Sequence, residues 1–319
     1  MWVTSSLTTI LTPTAVALGN FDGVHLGHRQ VIQPVLSCAE EPAAERIYAT
    51  VVTFHPHPQE FFSGQSRLLL TPLNEKGALL KAMGVEQLVS LPFGQELAEL
   101  SPEQFVENIL VQGLRAKHVS VGLDFCFGRQ RAGTAADLQT IAATHGVAVT
   151  IAPLKSLEGG RISSSAIRQA LQVGDLQIAN RLLGRSYCLV GKVFQGQQLG
   201  RTLGFPTANL QLPSEKFVPK QGVYAVQVHL YEEGNESDLV ADPTLLGVMN
   251  IGVRPTVEGK IQVVEVHLLD WAGELYGRTL LVHLKKFLRP EQKFASLEAL
   301  KAQIQLDCLT ARAVLTQDK

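Results

Sequence analysis

No two cysteines in this sequence form a C-x-x-C pair. Cys38, Cys126, Cys188 and Cys308 lie far apart, which argues against a disulfide framework or a thiolate zinc site and for reduced thiols in a cytoplasmic setting. Excess charge is lacking too. With 28 Lys and Arg against 29 Asp and Glu, there is no electrostatic footprint for nucleic acid or an anionic membrane, and small-molecule substrates are the expected partners. No uninterrupted apolar run approaches the roughly 20 residues that span a bilayer. The N-terminal MWVTSSLTTILTPTAVAL has no basic segment ahead of its apolar residues, and Thr, Ser and Pro interrupt them, so it does not read as a signal peptide. What remains is a soluble chain, a monomer or weak homo-oligomer, whose 319 residues suffice for two ordinary domains.

Two textures follow one another. Through residues 14–171, short β-rich runs alternate with helical patterns: TAVAL before 26–39, IYATVVTF before 73–83, EQLVSLP before 102–110, KHVSVG before 134–143 and VAVTIA before 164–171. Nearly continuous apolar strands alternating with helices specify a parallel sheet covered on both faces, a doubly wound α/β fold with its ligand crevice at the carboxyl ends of the strands. After about Gly184 the runs SYCLVGKVF, GVYAVQVHLY, TLLGVMNIGV, IQVVEVHLL and TLLVHLKKFL follow without intervening helices, as in an antiparallel sheet or small β-barrel. A closing amphipathic helix, FASLEALKAQIQLDCLTARAVL, takes Ser296 as its N-cap. The acidic EEGNESDLVADP reads as a solvated hairpin loop. The expected division is into residues 1–184 and 185–319.

In the first half TAVAL runs directly into GNFDGVHLGH. A strand, a glycine-bearing turn and a helix start offer backbone N–H groups and a positive helix end to phosphate. His25 and His28, three residues apart, point the same way, and Gly27 leaves room for a ligand to approach. Imidazoles so placed donate to phosphate oxygens as charge builds during displacement. Histidines near a helix start are as often caps or surface groups; the H-x-G-H spacing at a βα turn favours function. RISSSAIR sets serines at another helix start, where plain capping has even odds, and adds Arg168 four residues after Ser164, on the same face, to reach an anionic leaving group. TFHPHP presents Phe54, His55 and His57 on a proline-stiffened loop, and VGLDFCFGRQRAG carries Asp124, Phe125, Phe127 and Arg131. A flat ligand ring stacks on such phenylalanines, although core rings at a strand end are commoner.

In the second half, FQGQQLGRTLGFPTANL lacks the spacing and lysine of a Walker A loop. Thr207 and Asn209, two apart in an extended segment, share a face and offer neutral oxygens of the kind Mg²⁺ accepts beside nucleotide phosphates. A Pro-Thr turn leading into a strand is the plain alternative. In IQVVEVHLL, alternation puts Val264, Val266 and Leu268 on one face and Val263, Glu265 and His267 on the other. Glu265 is either a solvated strand residue or a general base for a hydroxyl attacking a γ-phosphate. GVMNIGVRPT reads as a Gly- and Pro-rich loop whose Asn250 and Arg254 close over a ligand.

In order and spacing, GNFDGVHLGH, TFHPHP, VGLDFCFGRQRAG and ISSSAIR resemble the adenylyltransferase module of the prokaryotic bifunctional riboflavin kinase/FAD synthetases. GRTLGFPTANL, GVYAV, GVMNIGVRPTVEG, EVHLLD, LYGRTL and LRPEQKFASLEALKAQI resemble their kinase module. The resemblance implies that a six-stranded barrel in the second half phosphorylates riboflavin to FMN with ATP and Mg²⁺, and that the first half joins FMN to AMP, giving FAD and pyrophosphate. It implies that Gly19, Asn20, His25 and His28 belong to the ATP site of the first half, that Ser164 and Arg168 hold the triphosphate, and that Phe54, Asp124 and Phe127 lie near flavin or nucleotide. In the second half it implies Gly200, Arg201, Thr207 and Asn209 around Mg²⁺·ATP, Glu265 activating the flavin 5′-hydroxyl, and Arg254 beside the flavin. The sequence departs from the pattern at Ala166, Gln195 and Leu199, where relatives often carry longer polar or basic residues, and each departure removes a contact.

Three rivals stand beside this reading. Another H-x-G-H nucleotidyltransferase or a class I aminoacyl-tRNA synthetase fragment would share the turn, but a KMSKS-type lysine and a basic surface are missing. A nucleic-acid-binding barrel conflicts with the near-neutral charge. A zinc site built from His25, His28, His55 and His57 lacks a carboxylate or cysteine ligand nearby.

Overall fold

The computed structural model describes residues 1–41, 45–157, 160–196, 200, 203–231, 245–256 and 259–317, with backbone alone at 254–256 and 259–261. The chain divides into two compact units, Met1–Ser164 and Ser165–Lys319.

The first unit is built on six parallel strands: β1 (Trp2–Thr4), β2 (Thr14–Leu18), β3 (Tyr48–His55), β4 (Gln87–Pro92), β5 (Ala116–Gly122) and β6 (Ala148–Ala152). Their spatial order is β1-β4-β3-β2-β5-β6. All five residues of β2 are buried, and alternation sends them to two cores. Ala15 and Ala17 pack with Val31, Ile32 and Val35 of α1 (Leu26–Glu40) and with Leu79 and Leu80 of α2 (Leu73–Ala82). Val16 and Leu18 pack on the other face with Leu110, Leu114 and, from α3 (Ala135–Thr144), Leu138. A sheet covered on both faces explains why its strands read as apolar runs rather than as alternation. Chain order reverses at β2, with β3 and β4 on one side and β5 and β6 on the other, so the crevice expected of a doubly wound sheet opens beyond the ends of β2 and β5. The edge strand β1 was not legible in the sequence. The pattern at 102–110 is also modified: an α-helical turn, Pro102–Phe105, runs on into a wider π-helical stretch, Val106–Gly113.

In the second unit six antiparallel strands close into a barrel: β7 (Tyr187–Phe194), β8 (Ala208–Gln211), β9 (Gly222–Tyr231), β10 (Leu245–Thr256), β11 (Gly259–Leu268) and β12 (Thr279–Arg289), ordered β7-β8-β11-β10-β9-β12. Closure removes the sheet edges. Tyr224, Val226 and Val228 of β9 are fully buried, and by alternation they face opposite to Val223 and Ala225. Those two pack under the helix Leu297–Gln317 against Ala311 and Leu315. That helix starts at Ser296, whose Oγ accepts from the Ala299 N–H at 3.2 Å, and a part-buried bidentate pair ties it to β12. Arg289 Nε donates to Asp307 Oδ1 at 2.9 Å and Nη2 to Oδ2 at 2.7 Å, a charge-assisted fork that satisfies the nearly buried carboxylate. A helix absent from the sequence reading, Leu176–Leu183, buries Leu176, Ala179, Leu182 and Leu183 between an Asp175 N-cap and a left-handed Gly184.

Of two overlapping expectations, a strand in TLLGVMNIGV and a loop in GVMNIGVRPT, the structure bears out the strand and corrects the loop: GVMNIGVRPT forms most of β10, in continuous register with β11 from Gly247↔Leu268 to Thr256↔Gly259. Glycine suggested a loop, yet at Gly247 and Gly252 it serves close packing, because a Cβ would press on the His267 carbonyl at 2.9 Å in one case and overlap the Glu291 carboxylate in the other.

Candidate active sites

The turn after β2 carries the first site. Phe21 and Val24 are both in the left-handed region, at φ 48° and 42°, a conformation a β-branched residue adopts only under constraint. The constraints are visible. Asp22, 4 % exposed, accepts from the Thr71 N–H through Oδ1 at 3.2 Å, and Thr71 Oγ1 accepts from the Gly23 N–H at 2.9 Å. Ser164 Oγ donates to the Asp22 carbonyl at 2.8 Å. The Asn20 carbonyl accepts from Thr53 Oγ1 at 3.1 Å and from Lys76 Nζ at 2.8 Å. So held, the turn delivers the chain into α1.

His25 and His28 cap that helix reciprocally. His25 Nδ1 accepts from the His28 N–H at 3.2 Å, and His28 Nδ1 accepts from the His25 N–H at 3.3 Å. The rings stack 3.5 Å apart at 13°. Capping and chemistry are therefore compatible: with Nδ1 of each ring accepting, a neutral imidazole carries its proton on Nε2, the opposite edge. Gly27 makes the stack possible, because a Cβ there would lie 3.2 Å from the His25 ring. Gly19 donates its N–H to the Val52 carbonyl at 3.2 Å. Asn20 Oδ1 is buried with no hydrogen-bond partner.

The structure brings Gly19, Asn20, His25, His28 and Ser164 together at this turn. Arg168 lies in the second unit, where its guanidinium is 5.8 Å from the centre of the Phe217 ring. Asp124, on the loop after β5, is exposed and ion-paired with Arg161. Phe127 is a core ring, 6 % exposed, 5.3 Å from Phe105 and over Gly133. Phe54 is half-buried at the end of β3 and stands edge-on to Phe93 at 5.9 Å. Phe93 in turn meets Phe61 at 5.5 Å and Phe62 at 5.8 Å. Phe61 and Phe62 sit on the short helix Pro58–Ser63 and are 39 % and 69 % exposed, so the ends of β3 and β4 carry an open aromatic cluster. The sequence reading missed Phe61, Phe62, Phe93 and the buried Lys76. F-F two residues beyond H-P-H-P was the available signal for the first two.

The second site is a row across three barrel strands. Glu265 of β11 is paired in register with Asn209 of β8 on one side and Asn250 of β10 on the other, so the three side chains share one face. Val264, Val266 and Leu268 are buried on the opposite face. Asn209 is 5 % exposed, and its carboxamide lies against Gly196, where a Cβ would overlap it. Thr207 Oγ1 stands 3.2 Å from the Cβ position of Gly200. Asn250 Nδ2 donates to Glu291 Oε1 at 3.5 Å, which adds a carboxylate unnoticed in the sequence. The Pro206 carbonyl lies 2.8 Å from His267 Nδ1, fixing the approach to Thr207. Arg201 and Leu199 fall outside the described residues, as do the side chain of Arg254 and the segment EEGNESDLVADP. Among the described residues no group of three His, Cys, Asp or Glu could hold a metal ion.

Comparison with known proteins matches both halves. Residues 7–166 fit the FAD synthetase family model, and residues 183–315 fit the riboflavin kinase model. A bifunctional riboflavin kinase/FMN adenylyltransferase of Pseudomonas fluorescens is 44 % identical over 299 residues, covering 93 % of this chain and 91 % of that one. The chain belongs to the bifunctional riboflavin kinase/FMN adenylyltransferase family. Family members from Escherichia coli K12 and Bacillus subtilis are 43 % identical over 298 residues and 37 % over 299, covering 93 % and 92 % of this chain and 91 % and 90 % of theirs. A crystal structure from Streptococcus pneumoniae, named a macrolide-efflux protein, shares the fold with a TM-score of 0.83 and 30 % identity over 97 % of this chain and 98 % of its own. No helix among the described residues is long and apolar enough to cross a membrane.

Proposed function

We propose that this chain makes FAD from riboflavin in two ATP-dependent steps, phosphorylating riboflavin on the barrel and adenylylating the resulting FMN on the α/β unit. Catalytic modules dividing at 184/185 and a cytoplasmic setting, in keeping with four free cysteines, belong to the proposal. The observation that carries it is that each unit holds the equipment of one step: a stacked imidazole pair at a helix N-terminus beside the sheet's switch point, and a carboxylate between two carboxamides on the barrel.

On the barrel, Glu265 accepts the proton of the riboflavin 5′-hydroxyl as that oxygen bonds to the γ-phosphorus of ATP and the bond to the β-phosphate oxygen breaks, leaving FMN and ADP. Thr207 and Asn209 fit Mg²⁺ as neutral oxygen donors beside nucleotide phosphates, in line with the way this ion is held by few protein ligands. Bound there, the ion neutralises phosphate charge. Gly200 and Arg201 are assigned to the nucleotide and Arg254 to the flavin.

On the α/β unit, an FMN phosphate oxygen bonds to the α-phosphorus of a second ATP while the α–β bridge breaks and pyrophosphate leaves. The nucleophile is already anionic, so no general base is required. His25 and His28 donate from Nε2 to phosphate oxygens as charge develops. Gly19 keeps the turn open, and buried Asn20 Oδ1 takes a nucleotide donor, which gives that orphaned oxygen a partner. Ser164 receives the pyrophosphate. The aromatic cluster around Phe54 offers the flavin ring a stacking surface, and Asp124 and Phe127 are assigned near flavin or nucleotide. Supplying riboflavin, ATP and Mg²⁺ and following the flavins by chromatography tests both steps together.

A further inference from the structure

Beneath the β2–α1 turn lies a charge that the chemistry above does not use. Lys76 of α2 is 7 % exposed, and a lysine that deeply buried persists only where its ammonium is held. Its Nζ donates to the Asn20 carbonyl at 2.8 Å and to Thr53 Oγ1 at 3.3 Å. The turn it grips is strained at Phe21 and Val24, and such strain survives only where surrounding contacts over-determine the backbone.

We propose that Lys76 is a positioning residue for adenylyl transfer: its ammonium, holding the Asn20 carbonyl, fixes the turn that presents His25 and His28 to the nucleotide. The proposal rests on the adenylyltransferase reading and deepens it. Lys76 acts through Asn20 and touches no substrate. The groups facing it are the Asp22 carboxylate from the turn and the uncharged Thr53 hydroxyl from β3, with Glu75, also buried, beside it on α2.

The grip is titratable. Burial pushes the Lys76 ammonium down to about 8, with the Asp22 charge opposing the fall. Above that pH a neutral amine replaces the cation, and a charge-assisted hydrogen bond of roughly twice the ordinary strength is lost. Stability moves the other way. The folded-state value lies below the unfolded one, about 10.4, so between about pH 8 and 10.4 the unfolded chain binds more protons and this group's contribution to stability rises with pH. Activity that falls while this contribution rises separates positioning from alkaline unfolding.

The test uses full-length protein with FMN, ATP and Mg²⁺ from about pH 6.5 to 9.5, with the kinase reaction run in parallel. The wild-type kcat for FAD formation is expected to fall about tenfold through a limb centred near pH 8, a limb the kinase reaction lacks. Lys76→Met should lower adenylylation at pH 7 by about tenfold or more and abolish the limb. Thr53→Val removes an acceptor that favours the cation, so the limb should move to lower pH. A Lys76→Met protein with the wild-type rate and limb overturns the proposal, as does a Thr53→Val limb that stays in place or moves upward. Where Lys76→Met fails to fold, Thr53→Val decides alone. A wild-type protein that makes no FAD at any pH instead strikes down the adenylyltransferase reading itself.

Discussion

Replacing Glu265 with Gln changes one oxygen for an NH₂ group and little else. Register places the residue directly across from Asn209 and Asn250, where opposed β-carbons are about 4.5–5.5 Å apart. A glutamine there hydrogen-bonds to either carboxamide, and the buried face of Val264, Val266 and Leu268 is untouched. Stability should therefore change by no more than about 1 kcal/mol. The base, however, is gone. FMN formation from riboflavin should fall by roughly 10²–10⁴-fold, about 3–5 kcal/mol of barrier. FAD formation from supplied FMN should continue at the wild-type rate, because that nucleophile needs no deprotonation and its site is on the other unit. Chromatography of both reactions from one preparation, with a thermal melt of the same sample, supplies all three numbers. A folded Glu265→Gln protein that phosphorylates riboflavin normally would refute the assignment.

Further expectations follow from other contacts. His28→Ala should cut FAD formation by about 10²-fold or more while sparing FMN formation. His28→Gln, which restores a capping-box acceptor for the His25 N–H, should recover any lost stability but not the rate, and recovery of both in steady-state assays would reduce His28 to a cap. Asn180 Oδ1 accepts from the Tyr187 N–H at 2.7 Å and its Nδ2 donates to the Leu284 carbonyl at 2.9 Å. Asn180→Ala should accordingly cost the barrel about 1–3 kcal/mol, and a fragment of residues 186–319 should melt several degrees below one of residues 165–319; equal melting temperatures would contradict this. Burial and the neighbouring Lys285, His229 and Arg185 charges push His283 down to about 4. Its folded-state value is below the ordinary one, about 6.5, so stability on the order of 2–3 kcal/mol should drain away as pH falls between those values. His283→Leu should flatten that slope in thermal melts, and an unchanged slope would remove His283 as the cause.

Much of the fold was legible because local signals agreed with the final packing. The strands around TAVAL are apolar on both faces, and the structure buries both; Glu265 alternates with Val264 and Val266, and one face is buried. What escaped lacked a local signal. Trp2–Thr4 is an edge strand recognisable only through its partner β4, and Leu176–Leu183 is too short for its periodicity to stand out although its Asp175 and Gly184 caps are plain. GVMNIGVRPT misled because glycine, usually a loop residue, here admits Glu291 and a neighbouring strand. Of the candidate sites, the residues on one turn or one strand were readable. Lys76, Phe93 and Glu291 join their sites through tertiary contact, which spacing along the chain does not encode.

One measurement bears most directly on the two-step function: the purified protein is incubated with riboflavin, ATP and Mg²⁺, and the flavins are separated over time. FMN should rise first and FAD follow at its expense, with EDTA blocking both. Riboflavin left unreacted at ample ATP would contradict the function assigned to both units.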